Sequence, residues 1–302
     1  MIPTLKHLIL ALALAGSPAL SLAAQATTGA EQAAVQVLTT LPVTHTLAGI
    51  LLDGTSVNLK RAAPASLPAT RQPSYFGGRG SASLHKAAQQ ADAVIDLRSI
   101  WRDDPLYPMA RRSNIRIVEI DAARPVDGAL PGIAVQGDDA FSGYPWLNAT
   151  NLGRMADIMA SDLERLSPAD KPRIQTNLAG LKRQLLELTS SSETRLVKAD
   201  NLSVVSLSER LGYLASGLNL DVVDQPLPAE DKWDQAALKT LGENLREQDV
   251  ALVLHHRQPD PAVAEVIKAC GAQLLVLDSD SEDSVAGLKA NIEQIVGALS
   301  KG

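Results

Sequence analysis

A single cysteine, Cys270, stands in a chain of 302 residues. No internal disulfide can form, and a zinc site built on cysteine is excluded as well. Cys270 falls inside the helical pattern PAVAEVIKACG (261–271), where a thiol reads as a small buried filler. Aromatic residues make up 3% of the chain. That scarcity argues against a stacking platform for a large flat ligand such as haem. Positive charge is not in excess, with 28 Lys and Arg against 34 Asp and Glu. An acidic balance argues against a nucleic-acid partner, whose phosphates demand basic patches. It does not exclude a cation. Histidine is scarce too, with five in all. Past the N-terminus no apolar run approaches the ~20 residues a spanning helix needs.

The first residues, MIPTLKHLILALALAGSPALSLAAQA (1–26), carry Lys6, an apolar run from Leu8 to Ala15 and a small-residue ending. Ala24 and Ala26 fit an A-x-A cleavage pattern. This predicts a cleavable signal peptide and export to the periplasm. The apolar core is too short to span a membrane.

Strand and helix patterns then alternate. AVQVLTT (34–40) reads as a strand, and PVTHTLAGILLDG (42–54) as a helix with Pro42 in its first turn. SVNLKRA (56–62) is a second strand. APASLPATRQPSYFGGRG (63–80) is a long loop rich in Pro, Gly and Ser, a kind that is usually functional or disordered. SASLHKAAQQA (81–91) reads as a helix that Ser81 would cap. DAVIDL (92–97) and IRIVEID (115–121) read as strands flanking a helical stretch. The middle differs. NATNLGRMADIMASDLERLSP (148–168) reads as one long helix. In the following helical stretch (170–199), Ile174, Leu178, Leu181, Leu185 and Leu188 form one apolar stripe. TSSSET (189–194) is a weak place in that helix, where a bend or break is expected. Afterwards strand patterns return at 202–208, 220–224, 250–256 and 273–279, with helical patterns between and after them.

Alternation of this kind predicts an α/β fold with mainly parallel sheets flanked by helices. Two lobes are expected, an N-terminal one over 27–168 and a C-terminal one over 200–302. A long rigid linking helix over 169–199 would join them. Ligands of open parallel sheets sit beyond the C-terminal strand ends. The candidates there are Thr40 and His45, then Tyr75 and Arg79. In the second lobe they are Ser208 and Glu209, His255 and His256, and Asp278 and Asp280. No G-x-S-x-G, H-E-x-x-H or P-loop pattern is present. DSDSED (278–283) lacks the glycine and the closing glutamate of a calcium loop, so it reads as an acidic start to the last helix.

Four segments carry a resemblance. YPWLNATNLGRMADIMASDLERLSP (144–168) is similar to an H-x-W-L-D-P segment with the helix after it. SERLGYLASGLNLDVV (208–223) is similar to H-x-A-F-G-Y-L. GAQLLVLDS (271–279) is similar to G-A-x-V-L-x-L-D-P, and AAQQADAVIDL (87–97) to the stretch closing a first metal-binding loop. Together they resemble the periplasmic substrate-binding proteins of metal-specific ABC transporters, the zinc/manganese type, over nearly all of the chain past residue 26. The resemblance implies a binding protein, not an enzyme, with no cofactor beyond a transported divalent metal, zinc or manganese. It also implies a monomer that works with an inner-membrane ABC permease. Of the four ligands implied, only Asp278 matches in kind. Tyr144 and Ser208 stand where the family has His, and the first loop has no His.

A substitute metal set is His45, Tyr144, His255, His256 and Asp278. Adjacent residues at a strand end point to opposite faces, so one of His255 and His256 would face the cleft. The alternative is that both are ordinary strand-end residues bonded to backbone or solvent. A second reading keeps the scaffold and changes the cargo. Tyr75, Arg79, Ser208 and Glu209 would then hold a metal chelate or small anion, with Arg79 as the bidentate anchor. A third reading is a periplasmic metal-handling accessory protein or enzyme.

Overall fold

The computed structural model describes residues 34–300 except 127, 129, 137–140 and 229–231. The signal-peptide reading of 1–26 lies outside the described residues.

The chain runs β1 (Gln36–Thr39), α1 (Pro42–Leu51), β2 (Asn58–Arg61), α2 (Gln72–Gly77), α3 (Ser81–Gln90), β3 (Ala93–Asp96), α4 (Leu106–Ser113) and β4 (Val118–Asp121). Two long helices follow, α5 (Ala149–Leu166) and α6 (Lys171–Leu196). The alternation then resumes with β5 (Ser203–Ser206), α7 (Gly212–Gly217), β6 (Asp221–Val223), α8 (Gln235–Glu247), β7 (Leu252–His255), α9 (Pro261–Ala269), β8 (Gln273–Val276) and α10 (Ser284–Leu299).

Two four-stranded sheets result, ordered β2-β1-β3-β4 and β6-β5-β7-β8, with every pairing parallel. Strand direction of travel reverses between β1 and β3 in the first sheet and between β5 and β7 in the second. Such switch points open a crevice beyond the strand ends, because the flanking helices leave to opposite faces there.

Helix starts follow local chemistry. The Asn148 side chain accepts from the N–H groups of Thr150 and Asn151 to cap α5. Asp234, Asp260 and Asp283 cap α8, α9 and α10 in the same way. This explains the acidic run before the last helix. Ser81 is not a cap. Gly80 precedes α3, and no side chain caps that helix. The loop 63–80 is also more ordered than expected, because it holds α2, with Pro73 in its first turn.

Helix α6 is unbroken through TSSSET. The hydroxyls of Thr189, Ser191, Ser192 and Thr194 each donate to a backbone carbonyl three or four residues back. Their hydrogen bonding is thus met within the helix, and the expected break is not needed. The stripe is buried as predicted at Ile174, Leu181, Leu185 and Leu188, with Leu178 half-buried. Arg173 pairs with Asp53 on the first half at 3.0 Å, and Arg195 with Glu293 on α10 at 2.7 Å. The rod therefore touches both halves.

It is not the only bridge. Helix α1 packs directly on α10. Thr46 Oγ1 donates to the Glu282 carbonyl at 3.0 Å and accepts from Ser284 N–H at 3.2 Å. One apolar core runs from Val37 and Leu47 through Met155 and Leu185 to Leu254 and Ile292. The described residues form one compact unit that contains both sheets and the long helix. Cys270 is half-buried rather than fully so, its Sγ donating to the Gly242 carbonyl at 3.6 Å.

Candidate functional site

A cleft of about 820 Å3 lies beyond the C-terminal ends of both sheets. The residues just after β1 contribute Leu41 and Pro42, and the stretch 65–70 after β2 adds a second edge. The second half contributes 207–210 after β5, His256 after β7 and 279–281 after β8. Phe141, Tyr144 and Trp146, from the segment before α5, close one wall.

That wall corrects the reading from composition. Aromatics are few, but they are gathered. Trp101 and Phe141 stack with ring centres 4.7 Å apart. Tyr144 and Trp146 stand 4.6 Å apart, and Phe141 lies 5.5 Å from Trp146. Composition counts residues and is blind to where they meet. Tyr144 also carries a left-handed backbone, φ 52° and ψ 67°, ahead of a 3-10 turn at Pro145–Leu147. A bulky residue in that region costs of order 1–3 kcal/mol and persists only where surrounding contacts enforce it.

Beside the wall lies a small polar network. Arg210 Nη1 donates to Asp280 Oδ2 at 2.6 Å and to Ser279 Oγ at 3.3 Å. The Arg210 guanidinium lies 4.9 Å from the Tyr144 ring centre. Tyr144 donates its phenol to Asp280 Oδ1 at 3.2 Å, and Ser279 donates to Asp280 Oδ2 at 2.9 Å. Burial, ahead of the Asp280 charge, pushes the Tyr144 phenol up to about 12. The hydroxyl therefore stays protonated and donating at neutral pH.

His256 sits beside this network. Burial first, then the charge of Arg210 and of His255, pushes its imidazole down to about 4. Its Nδ1 is buried without a hydrogen-bond partner. The ring stacks on His255 with centres 4.9 Å apart. Of the two, His256 lines the cleft. His255 is 2% exposed and accepts from Arg257 N–H at Nδ1, so the two rings lie side by side rather than on opposite faces.

The candidates divide accordingly. Tyr144, His256, Ser208 and Glu209 line the cleft. His45, His255 and Asp278 do not. His45 is held by Thr39 at 2.9 Å, and burial lowers its pKa. Asp278 Oδ1 accepts from Asp280 N–H in the turn after β8. Tyr75 and Arg79 are also elsewhere. Tyr75 sits on α2 and Arg79 just after it; Arg79 is exposed and lies over the Tyr75 ring at 5.4 Å. Among the described residues, no three His, Cys, Asp or Glu side chains meet to hold a metal ion. Sequence reasoning missed Arg210 and Phe141. The signal for Arg210 was its place two residues after the Ser208 position. Nothing local marks Phe141.

A matching depth occurs in the first sheet without a cleft. Asp96, at the end of β3, is fully buried, and neither carboxylate oxygen has a well-formed hydrogen bond. Burial, then Asp104, Glu119 and Asp121 nearby, pushes it up to about 9. Asp104, also buried, accepts from Leu97 and Leu106 N–H groups and sits at about 6, raised by burial.

Comparison with known proteins adds the following. A family model described as ZnuA, zinc-uptake complex component A, periplasmic, matches residues 81–298. No curated protein matches the chain. Among solved structures, the chain is similar to an FpvC mutant from Pseudomonas aeruginosa, at 19% identity and TM-score 0.70, covering 89% of this chain and 100% of that one. It is similar to the Zn(II)-bound ZnuA-like domain of Streptococcus pneumoniae AdcA, at 17% identity and TM-score 0.68, covering 88% and 99%. It is also similar to a zinc-bound ZnuA deletion mutant, at 22% identity and TM-score 0.66, covering 88% and 98%. At these identities the shared property is the fold.

Proposed function

Since the chain belongs to the family of periplasmic zinc-uptake component A proteins, we propose that it is the solute-binding component of an ABC importer. It captures a divalent metal as cargo, zinc by family, and delivers it from the periplasm to an inner-membrane permease as a monomer. The observation that carries this reading is the cleft at the switch points of both sheets, lined from both halves. A ligand held there touches both sheets at once, so its release is tied to their relative position. Closure is small on this scaffold, because α6 and the α1–α10 contact both resist a wide hinge.

His256 supports the metal part. Its imidazole is neutral at pH 7, and the buried Nδ1 lacks a partner. A neutral imidazole nitrogen is the donor that zinc accepts. Tyr144 and Ser208 add oxygen atoms in the family positions that usually hold histidine.

Equilibrium dialysis against radiolabelled zinc tests the reading. A single metal should be retained per chain, with loss in His256→Ala. Failure to retain zinc, manganese or nickel, alone or with a chelator present, removes the metal cargo.

A further inference from the structure

Arg210 stands in the cleft, paired with Asp280. Its Nη1 holds Asp280, and the remaining Asp280 oxygen accepts from Tyr144. The carboxylate is therefore already neutralised by the protein's own cation. A dication entering alone meets that fixed positive charge beside Asp280, and Glu209 is the other carboxylate lining the cleft. A bare anion fares no better, because Asp280 and Glu209 both line the cleft. The pair of signs suits a solute that carries both.

Size points the same way. About 820 Å3 falls within the range of pockets for drug-sized organic molecules, ~300–1,000 Å3, far beyond one ion and its ligands. The wall of Phe141, Tyr144 and Trp146 offers flat apolar surface to such a molecule. Arg210 spends only Nη1 on the described residues, which leaves Nε and Nη2 for a ligand. A guanidinium fork matches a carboxylate in bidentate geometry. Tyr144's enforced left-handed backbone holds its ring under that guanidinium.

Resting on the metal-cargo reading above, we propose that the cleft takes its metal as a complex with a small, flat, carboxylate-bearing chelator. Arg210 anchors the carboxylate, the aromatic wall receives the chelator's face, and His256 fills an open position on the metal. The metal's remaining donors come from the chelator, consistent with no three-ligand group among the described residues.

Calorimetric titration of the purified protein with three probes tests this: zinc chloride, pyridine-2,6-dicarboxylate, and their one-to-one complex. The complex should bind about tenfold or more tighter than either component. Arg210→Ala should erase that gain, and Arg210→Lys should keep part of it, with circular dichroism showing both folded. His256→Ala should weaken the complex and leave the metal-free chelator unchanged. Zinc alone binding as tightly as the complex, with the chelator stripping it away, overturns the proposal and leaves the metal reading standing. Metal-free chelator binding as tightly as the complex overturns it too. A folded protein that binds none of the three overturns both readings.

Discussion

β3 and β7 occupy the same place in two sheets of the same order, and they end in opposite chemistry. β3 ends at Asp96, enclosed among Asp104, Glu119 and Asp121. β7 ends at His255, and the next residue, His256, opens onto the cleft beside Arg210. Both tips carry titratable groups displaced from their ordinary values, and burial is the leading cause at each. The consequence differs because burial always disfavours the charged form. It keeps an acid protonated and a base neutral. At β3 this makes a closed, inert carboxyl. At β7 it makes a neutral imidazole that lines a cleft, its Nδ1 buried without a partner. Perturbation alone does not mark a functional site; perturbation next to accessible space does.

Three predictions probe that comparison. The largest effect comes from removing matched core residues. Ile95 in β3 pairs with Thr39, as Leu254 in β7 pairs with Ser206. Ile95→Ala and Leu254→Ala should each cost about 2–5 kcal/mol in denaturant unfolding. Both should still unfold in a single transition, because one core serves both sheets. A plateau with one sheet lost would break the equivalence.

The next pair concerns pH. Asp96 holds its proton up to about 9 in the fold against an ordinary 3.8. The native state therefore binds more protons in that window, and stability falls as pH rises through it. Asp96→Asn should raise Tm at pH 8, by roughly 2–4 °C for each ~1 kcal/mol recovered, and change little at pH 4. His256 runs the other way, at about 4 in the fold against an ordinary 6.5. There the unfolded state binds more protons, and stability falls as pH drops through the window. His256→Gln should flatten the loss between pH 6.5 and 4 and leave Tm at pH 8 nearly unchanged. Thermal melts of both variants across pH check the two signs together. Matching slopes would end the contrast between the tips.

The smallest effect is at the cleft wall. Tyr144→Phe removes only the phenol bond to Asp280 and keeps the ring under Arg210. Its cost in thermal melts should stay within ~1 kcal/mol, since that bond is partly solvated. A larger loss would mean that the network, and not the aromatic wall, holds the left-handed turn.

Much of the fold was legible along the chain. The alternating patterns named the strands and placed the two long helices, because apolar spacing at 2 or 3.6 residues reports which face is buried. The TSSSET stretch stays helical instead of breaking, with its hydroxyls bonded back to carbonyls one turn earlier. The site was less legible. Ser208, Glu209, Tyr144 and His256 were readable as strand-tip or motif positions, and the structure sets all four around one cleft. His45, Asp278, Tyr75 and Arg79 met the same test of position. None of them lines the cleft, and His45, Asp278 and the Arg79–Tyr75 pair instead meet neighbours in their own segments.

What the residues determined unaided is the class of fold, the parallel sheets and the strand ends as the place where a cleft opens. Those follow from periodicity and chain connectivity, which are properties of neighbours in sequence. Only packing decided that Phe141, Tyr144, Trp146, Arg210 and Asp280 share a wall and that His256 loses its charge there. Those contacts join segments as much as 139 residues apart (Phe141 to Asp280 by position), and burial is a property of the whole body rather than of any stretch of it.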